Sequence, residues 1–274
     1  SVGATCDDMS AITQQLESMG HLTVWWEMPH RRTPDEDESG VVLPGGAHAP
    51  TTLVDFVREE LERVRIELTD LAGTNLTDER LEQGIAQANR VREILDQLRE
   101  TVFTARAAPL PALEMLIAEM LTIHYCSDPI ECVIVLEELL QEAKTRASMS
   151  VGVLAPEAVG VFWVNPVADL RVMNLLEDAG GRIQGTDYLF THALDLIPTE
   201  VPPMEGLARA ALADPMVGSP HERADRICRD MERFGAEALI ISRIPGASHC
   251  ALEGAMIGDA VRHRLDVPVL ELEV

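Results

Sequence analysis

Two cysteines occupy places where sulfur chemistry is favoured. Cys6 follows a short, small-residue, β-compatible stretch at residues 1–5 and precedes Asp7-Asp8, an N-cap-like start for a helix running to about Met19. Cys250 follows the apolar run Ala238–Ile244 and the loop Pro245–His249, and it opens a helix-patterned segment that reaches Leu265. Both read as strand-to-helix turns. A thiol at a helix N-terminus feels the positive end of the helix dipole, which favours the thiolate that binds iron or zinc. In open parallel sheets, ligands bind outside the carboxyl ends of the strands. Placement alone leaves two readings for each cysteine: a soft metal ligand, or a small buried hydrophobe.

The remaining candidates are weaker. Cys126 and Cys132 flank Pro129 at a spacing unusual for metal ligands, and Cys228 sits inside a helical pattern, so all three read as structural. No CxxC pair occurs, which excludes a self-contained zinc ribbon or thioredoxin motif. His249 adjoins Cys250 and reads either as a donor or proton shuttle there or as a loop histidine. His124 lies on an apolar helix face and reads as a satisfied core histidine. Lys144 is the one lysine, which argues against Schiff-base chemistry unless it sits in a site. There is no P-loop, GxGxxG, HExxH or GxSxG.

The elements that would position these residues change character along the chain. His21–Met28 (HLTVWWEM) reads as a strand, and the Pro- and acid-rich stretch 29–51, with Gly45-Gly46, as a solvated loop. Leu53, Val57, Leu61, Val64, Leu68 and Leu71 recur at spacings of three and four and line one helix face up to Gly73. Thr77 can cap the next helix, and further helices follow to about Ala147. From residue 151 onward, apolar runs of strand length alternate with helical patterns: Val159–Val164, Leu170–Ala179, Arg182–Thr186, Glu205–Ala213, Glu222–Phe234, Ala238–Ile244, Cys250–Leu265 and Val267–Glu273. That alternation is the signature of a parallel sheet covered on both faces. The expected class is therefore α/β: a partial α/β unit at 1–50, a helical middle layer at 51–150, and a flavodoxin-like parallel-sheet domain at 151–274. Trp163 reads as core, as does at least one of Trp25 and Trp26.

Composition narrows the function classes. The chain has 274 residues and a net charge of −24, with 46% hydrophobic and 25% charged residues. It is globular and long enough to bury a sizeable core. So acidic a chain does not bind nucleic acid through a general field and is poorly suited to anionic membrane surfaces. No apolar run approaches the roughly 18 residues of a membrane span, and no signal peptide is evident. Five cysteines, an odd number scattered without a secretion signal, read as reduced thiols in a cytoplasm. The start at Ser1 fits either a removed initiator Met or a piece of a longer chain.

Five segments, in order, resemble the 2-hydroxyacyl-CoA dehydratase / benzoyl-CoA reductase family. They are TCDDM at Thr5–Met9; the paired helical stretch Leu53–Leu95, with Asn89 and Arg92 near its end; the strand–helix Val161–Ile183; Leu207–Ile227, with Arg223 and Arg226; and the closing Glu237–Glu273 around Cys250. The similarity spans essentially the whole chain. It implies two related subunits forming a heterodimer, each with α/β domains enclosing a [4Fe-4S] cluster held by three cysteines. On that resemblance Cys6 is the middle ligand and Cys250 the last; the family's first cysteine lies upstream of the segment matching Cys6, so the site is incomplete in this chain.

The resemblance further implies anaerobic radical chemistry. An ATP-dependent activase delivers one low-potential electron, an acyl-CoA thioester becomes a ketyl radical anion, and a hydroxyl leaves; in the reductase branch the electrons enter an aromatic ring instead. The alternative is a cluster-free structural subunit that packs on a complete catalytic partner. A third reading is a cluster shared across a symmetric dimer. Catalytic residues stay unassigned at this point.

Overall fold

Helices fill the first half of the chain and alternate with strands in the second, as the change in apolar spacing predicts. The computed structural model describes the backbone of residues 7 and 8 and the whole of residues 9–166, 169–246, 250 and 252–273. In chain order the elements are α1 (Asp7–Ser18), β1 (Gly40–Val42), β2 (His48–Pro50), α2 (Thr51–Ala72), α3 (Asp78–Thr104), α4 (Ala112–His124), α5 (Pro129–Ser148), β3 (Val159–Val164), α6 (Arg171–Asp178), β4 (Gly181–Asp187), α7 (Pro203–Ala213), α8 (Pro220–Phe234), β5 (Ala238–Arg243), α9 (Gly254–Leu265) and β6 (Val269–Glu273). They fall into two units. The first gathers Ser1–Gln87, Asp195–Pro220 and Gly246–His249, as far as these are described; the second gathers Ala88–Leu194, His221–Pro245 and Cys250–Val274.

The second unit is an α/β layer structure, as the sequence pattern predicts. Its four strands are parallel in the order β4-β3-β5-β6. Successive side chains of a strand point to opposite faces, and both faces here are covered. Phe162, Val164, Leu239 and Ile241 pack with residues of α3, α5, α8 and α9, including Leu95, Leu136, Ile227 and Ile257. Val161, Trp163 and Ile240 turn the other way, onto Leu116 of α4 and Met173 of α6. Burial on both sides explains why VGVFWV and ALIIS read as unbroken apolar runs.

The pairing of β3 with β4 shifts register between Val161 and Trp163. Opposite the shift stands Gly185 with φ +135, and a Cβ there would lie 2.4 Å from Cδ2 of Phe162 and 3.1 Å from Cδ2 of Phe234. Both the backbone angle and the packed ring exclude a side chain. Gly185→Ala is expected to destabilise the fold by about 1–3 kcal/mol, read as a lower midpoint in urea unfolding; an unchanged midpoint would mean the strand relaxes freely here.

In the first unit, the inner half of α2 packs on α7. Val54 and Val57 meet Ala208 and Leu212, with Met28, Leu43 and Ala49 completing the cluster. Gly73 closes α2 in the left-handed conformation (φ 62), and Thr77 Oγ1 accepts from the backbone N–H of Arg80 at 3.4 Å at the start of α3. The expected apolar face is only half used: Leu68 and Leu71 are exposed.

Two expectations change in this unit. Residues 21–28 form no strand; only Trp26 makes an isolated bridge. Side chains of α2 bind part of its backbone: Glu60 accepts from the Glu27 backbone N–H at 2.8 Å, and Arg63 donates to the Trp25 carbonyl. The stretch read wholly as loop contains the antiparallel hairpin β1–β2. Its turn holds Gly45 and Gly46 at φ 73 and 85, so those glycines are turn residues as expected.

Candidate functional site

The carboxyl ends of β3, β4 and β5 carry polar residues where the preceding apolar runs stop. Asn165 follows β3, Asp187 ends β4, and Ser242 lies near the end of β5. Asn165 adopts the left-handed conformation (φ 67), a backbone state Asn tolerates better than most residues. Its backbone N–H donates to the Asp187 carbonyl at 3.0 Å, and its Nδ2 donates to the Ser242 carbonyl at 2.9 Å. The Ser242 hydroxyl in turn accepts from Trp163 Nε1 at 2.9 Å. Three strand ends are thereby knotted together by direct hydrogen bonds.

Arg223, from the first turn of α8, inserts into this knot and is 1% exposed. Its Nε and Nη2 donate to Asp187 Oδ2 at 2.9 and 2.6 Å. Nη2 also donates to Asn165 Oδ1 at 2.8 Å, and Nη1 to Glu253 Oε2 at 2.9 Å. The second oxygen of Asp187 lies 3.0 Å from Nε2 of the buried His192. Burial pushes the Asp187 carboxyl up, but the charges of Arg223 and His192 and the hydrogen bonds from both outweigh it and hold the carboxyl far below the usual range. Arg223 stays charged for the reciprocal reason. Paired and buried in this way, these groups form a rigid platform; they are not positioned to exchange protons with a substrate.

A second buried charge pair lies one residue away along β4. Arg99 of α3 donates to Glu119 of α4, and also to Thr186 at its hydroxyl (2.7 Å) and its carbonyl (3.1 Å). The Thr186 hydroxyl donates to the same Glu119 oxygen at 2.7 Å. Here burial prevails: it raises the Glu119 pKa, against the opposing charge of Arg99 and the hydrogen bonds from Thr186 and Arg99. Glu119 Oε2 and the Tyr188 hydroxyl are both buried with no hydrogen-bond partner among the described residues.

The sequence-predicted residues stand as follows. Cys250 is buried, 2% exposed, on the segment between β5 and α9. Cys6 and His249 lie outside the described residues. Cys132 and Cys228 are buried in helices with their thiols pushed up chiefly by burial, while Cys126 is exposed. His124 is exposed and not a core residue: α4 turns its face of Ile117, Met120 and Ile123 outward together with it. Lys144 is exposed and donates to Gln97 at 3.2 Å.

Among the described residues no group of three His, Cys, Asp or Glu side chains could hold a metal ion. Cys250 is one soft donor on the segment leaving the carboxyl edge of the sheet, and the polar groups described at that edge are an amide, a hydroxyl and charges already paired with one another. The described residues alone therefore do not fit a four-iron cluster, which needs several thiolates. Sequence reasoning reached Arg223 only as part of a family-like segment and missed Asn165, Asp187, Ser242, His192 and Glu253. The signal that could have found three of them is a polar residue ending an apolar strand run.

No helix among the described residues is long and apolar enough to cross a membrane. A family model described as 2-hydroxyglutaryl-CoA dehydratase, D-component, matches residues 2–274. No curated protein sequence matches the chain.

Proposed function

The chain belongs to the 2-hydroxyglutaryl-CoA dehydratase D-component family, and from that premise we propose that it works as one subunit of an enzyme that removes water from a 2-hydroxyacyl-CoA. The observation carrying this reading is the essentially full-length extent of the family relationship. The topology supports it: a parallel sheet of order β4-β3-β5-β6 offers ligands its carboxyl edge, and Cys250 lies on the segment leaving that edge.

The finer part of the reading concerns how the reaction is driven. A [4Fe-4S] cluster with Cys6 and Cys250 among its donors, and a further thiolate from outside residues 1–274, would serve low-potential one-electron chemistry on the CoA thioester. A homologous second subunit completes the enzyme, and an ATP-dependent activase donates the electron. The chain's own contribution is a fixed edge: Arg223, Asp187 and Asn165 hold the strand ends rigid beside the segment that carries the thiol.

Iron and acid-labile sulfide, assayed in the complex isolated anaerobically from its source cells, test the finer part. The wild-type complex is expected to contain both, and a complex carrying Cys250→Ala to lose most of its iron together with dehydration of a 2-hydroxyacyl-CoA. An iron-free wild type, or a Cys250→Ala complex with undiminished iron and activity, would falsify the cluster assignment. A complex that dehydrates no 2-hydroxyacyl-CoA with its activase present would remove the reading as a whole.

A further inference from the structure

The two oxygens of the Glu119 carboxylate stand in different surroundings. Oε1 accepts from Arg99 Nη1 and, at 2.7 Å, from the Thr186 hydroxyl. Oε2 is buried as well, yet no described residue donates to it. The Tyr188 hydroxyl shares that condition, on a side chain that is 1% exposed. Native interiors place a partner, protein or ordered water, against nearly all such atoms.

The two groups share one neighbourhood within the second unit. Tyr188 comes two residues after Thr186, which holds the other carboxylate oxygen. It belongs to the same apolar cluster as Ala112 and Leu116, and Leu116 stands one turn before Glu119 on α4. Burial pushes the phenol pKa well up, the Glu119 charge adds to that and the Arg99 charge opposes it, so both charges are felt at the hydroxyl. The needs of the two oxygens are complementary: a carboxylate oxygen requires a donor, and a phenol has a proton to give. They make no hydrogen bond to each other. Across such an interval a single water bridges well, and it is held where the walls are polar, whereas a purely apolar hole stays dry.

We propose that Tyr188 and Glu119 form a buried binding site for one ordered water, which accepts from the phenol and donates to Glu119 Oε2. The water completes a chain from Tyr188 through Glu119 to Arg99 and Thr186. The residue that follows β4 is thereby tied to α3 and α4 by polar contacts as well as by packing.

Crystal structures of the full chain and of Tyr188→Phe, at a resolution that orders buried solvent, test this. The variant removes the phenol oxygen and keeps the ring. Wild type is expected to show one water within about 3 Å of both Tyr188 Oη and Glu119 Oε2. Tyr188→Phe is expected to lose that water, or to hold it at clearly reduced occupancy, while Arg99, Glu119 and Thr186 keep their mutual bonds. A direct Tyr188–Glu119 hydrogen bond in the wild type overturns the proposal, as does a protein group serving either oxygen, a cation in the water's place or a dry interval between the two. A water that stays fully occupied in Tyr188→Phe also overturns it, because the phenol would not then be one of its ligands. Should the variant fail to fold, the wild-type structure decides the question by itself.

Discussion

Arg223→Met is expected to destabilise the second unit by about 3–5 kcal/mol, the cost of leaving a buried charge without its partner. Asp187 would lose two of its donors, and Asn165 Oδ1 and Glu253 would each lose one, all at the point where three strands end. Methionine keeps the arginine stem, so the loss reports the guanidinium: its charge, its hydrogen bonds and the space it fills. Urea unfolding followed by circular dichroism measures it; a midpoint within error of wild type would show that the knot contributes rigidity without stability.

The pH dependence carries a definite sign. The Asp187 carboxyl in the folded chain titrates well below its unfolded value of about 3.9. Its stabilisation is therefore fully present above pH of about 4 and is lost as pH falls below that toward the folded value. The gap between wild type and Arg223→Met should accordingly be widest near neutrality and narrow in acid. Constant separation of the two stability curves from pH 7 to pH 3 would contradict this.

The second large effect belongs to the neighbouring pair. Arg99→Met is expected to cost about 3 kcal/mol at pH 7, at the low end for an uncompensated buried charge. The cost is limited because burial has already raised the Glu119 pKa, so the carboxyl can escape by taking up a proton. A carboxylate whose folded pKa exceeds its unfolded value of about 4.3 weakens the fold increasingly as pH rises from that value through the folded one. Arg99→Met should thus be least stable at neutral pH and recover toward pH 4. Adding Glu119→Gln removes the charge and should restore roughly 1–2 kcal/mol at neutrality. A double variant no more stable than Arg99→Met at pH 7 would place the loss in the bonds to Thr186 instead.

These two pairs also mark how far the amino-acid sequence reveals the molecule. The parallel sheet was legible because β3 and β5 are buried on both faces, and double burial leaves runs such as VGVFWV that no loop would carry. The helices were legible from three-and-four spacing and from stops such as Gly73. HLTVWWEM misled because β-branched and aromatic content states only that a segment suits extended backbone. Whether it joins a sheet depends on partners, and here Glu60 and Arg63 of a helix bind the backbone at Glu27 and Trp25. The hairpin at Gly40–Pro50 was hidden by its short strands and polar composition.

The site was less legible for a physical reason. Asn165, Asp187, Arg223 and Glu253 lie 22, 36 and 30 positions apart in succession, and nothing local marks a residue whose partner is brought near by a crossover. An arginine buried to 1% and one on a solvated helix face look alike in one sequence. Cys250 was singled out by its turn-to-helix placement, and the structure gives it a buried position. His124 shows the converse error: an apolar helix face signals burial only if another layer covers it, and that stretch of α4 faces outward.

β4 is an edge strand, and Thr186 near its end receives Arg99 from α3, which covers the Phe162 side of the sheet, and Glu119 from α4, whose Leu116 packs on the Trp163 side. The Arg99–Glu119 pair therefore acts as a clasp around the rim of the sheet, joining its two covers at one peptide unit. Neither cover can melt ahead of the other without opening that clasp, and cooperativity across the layers follows from it.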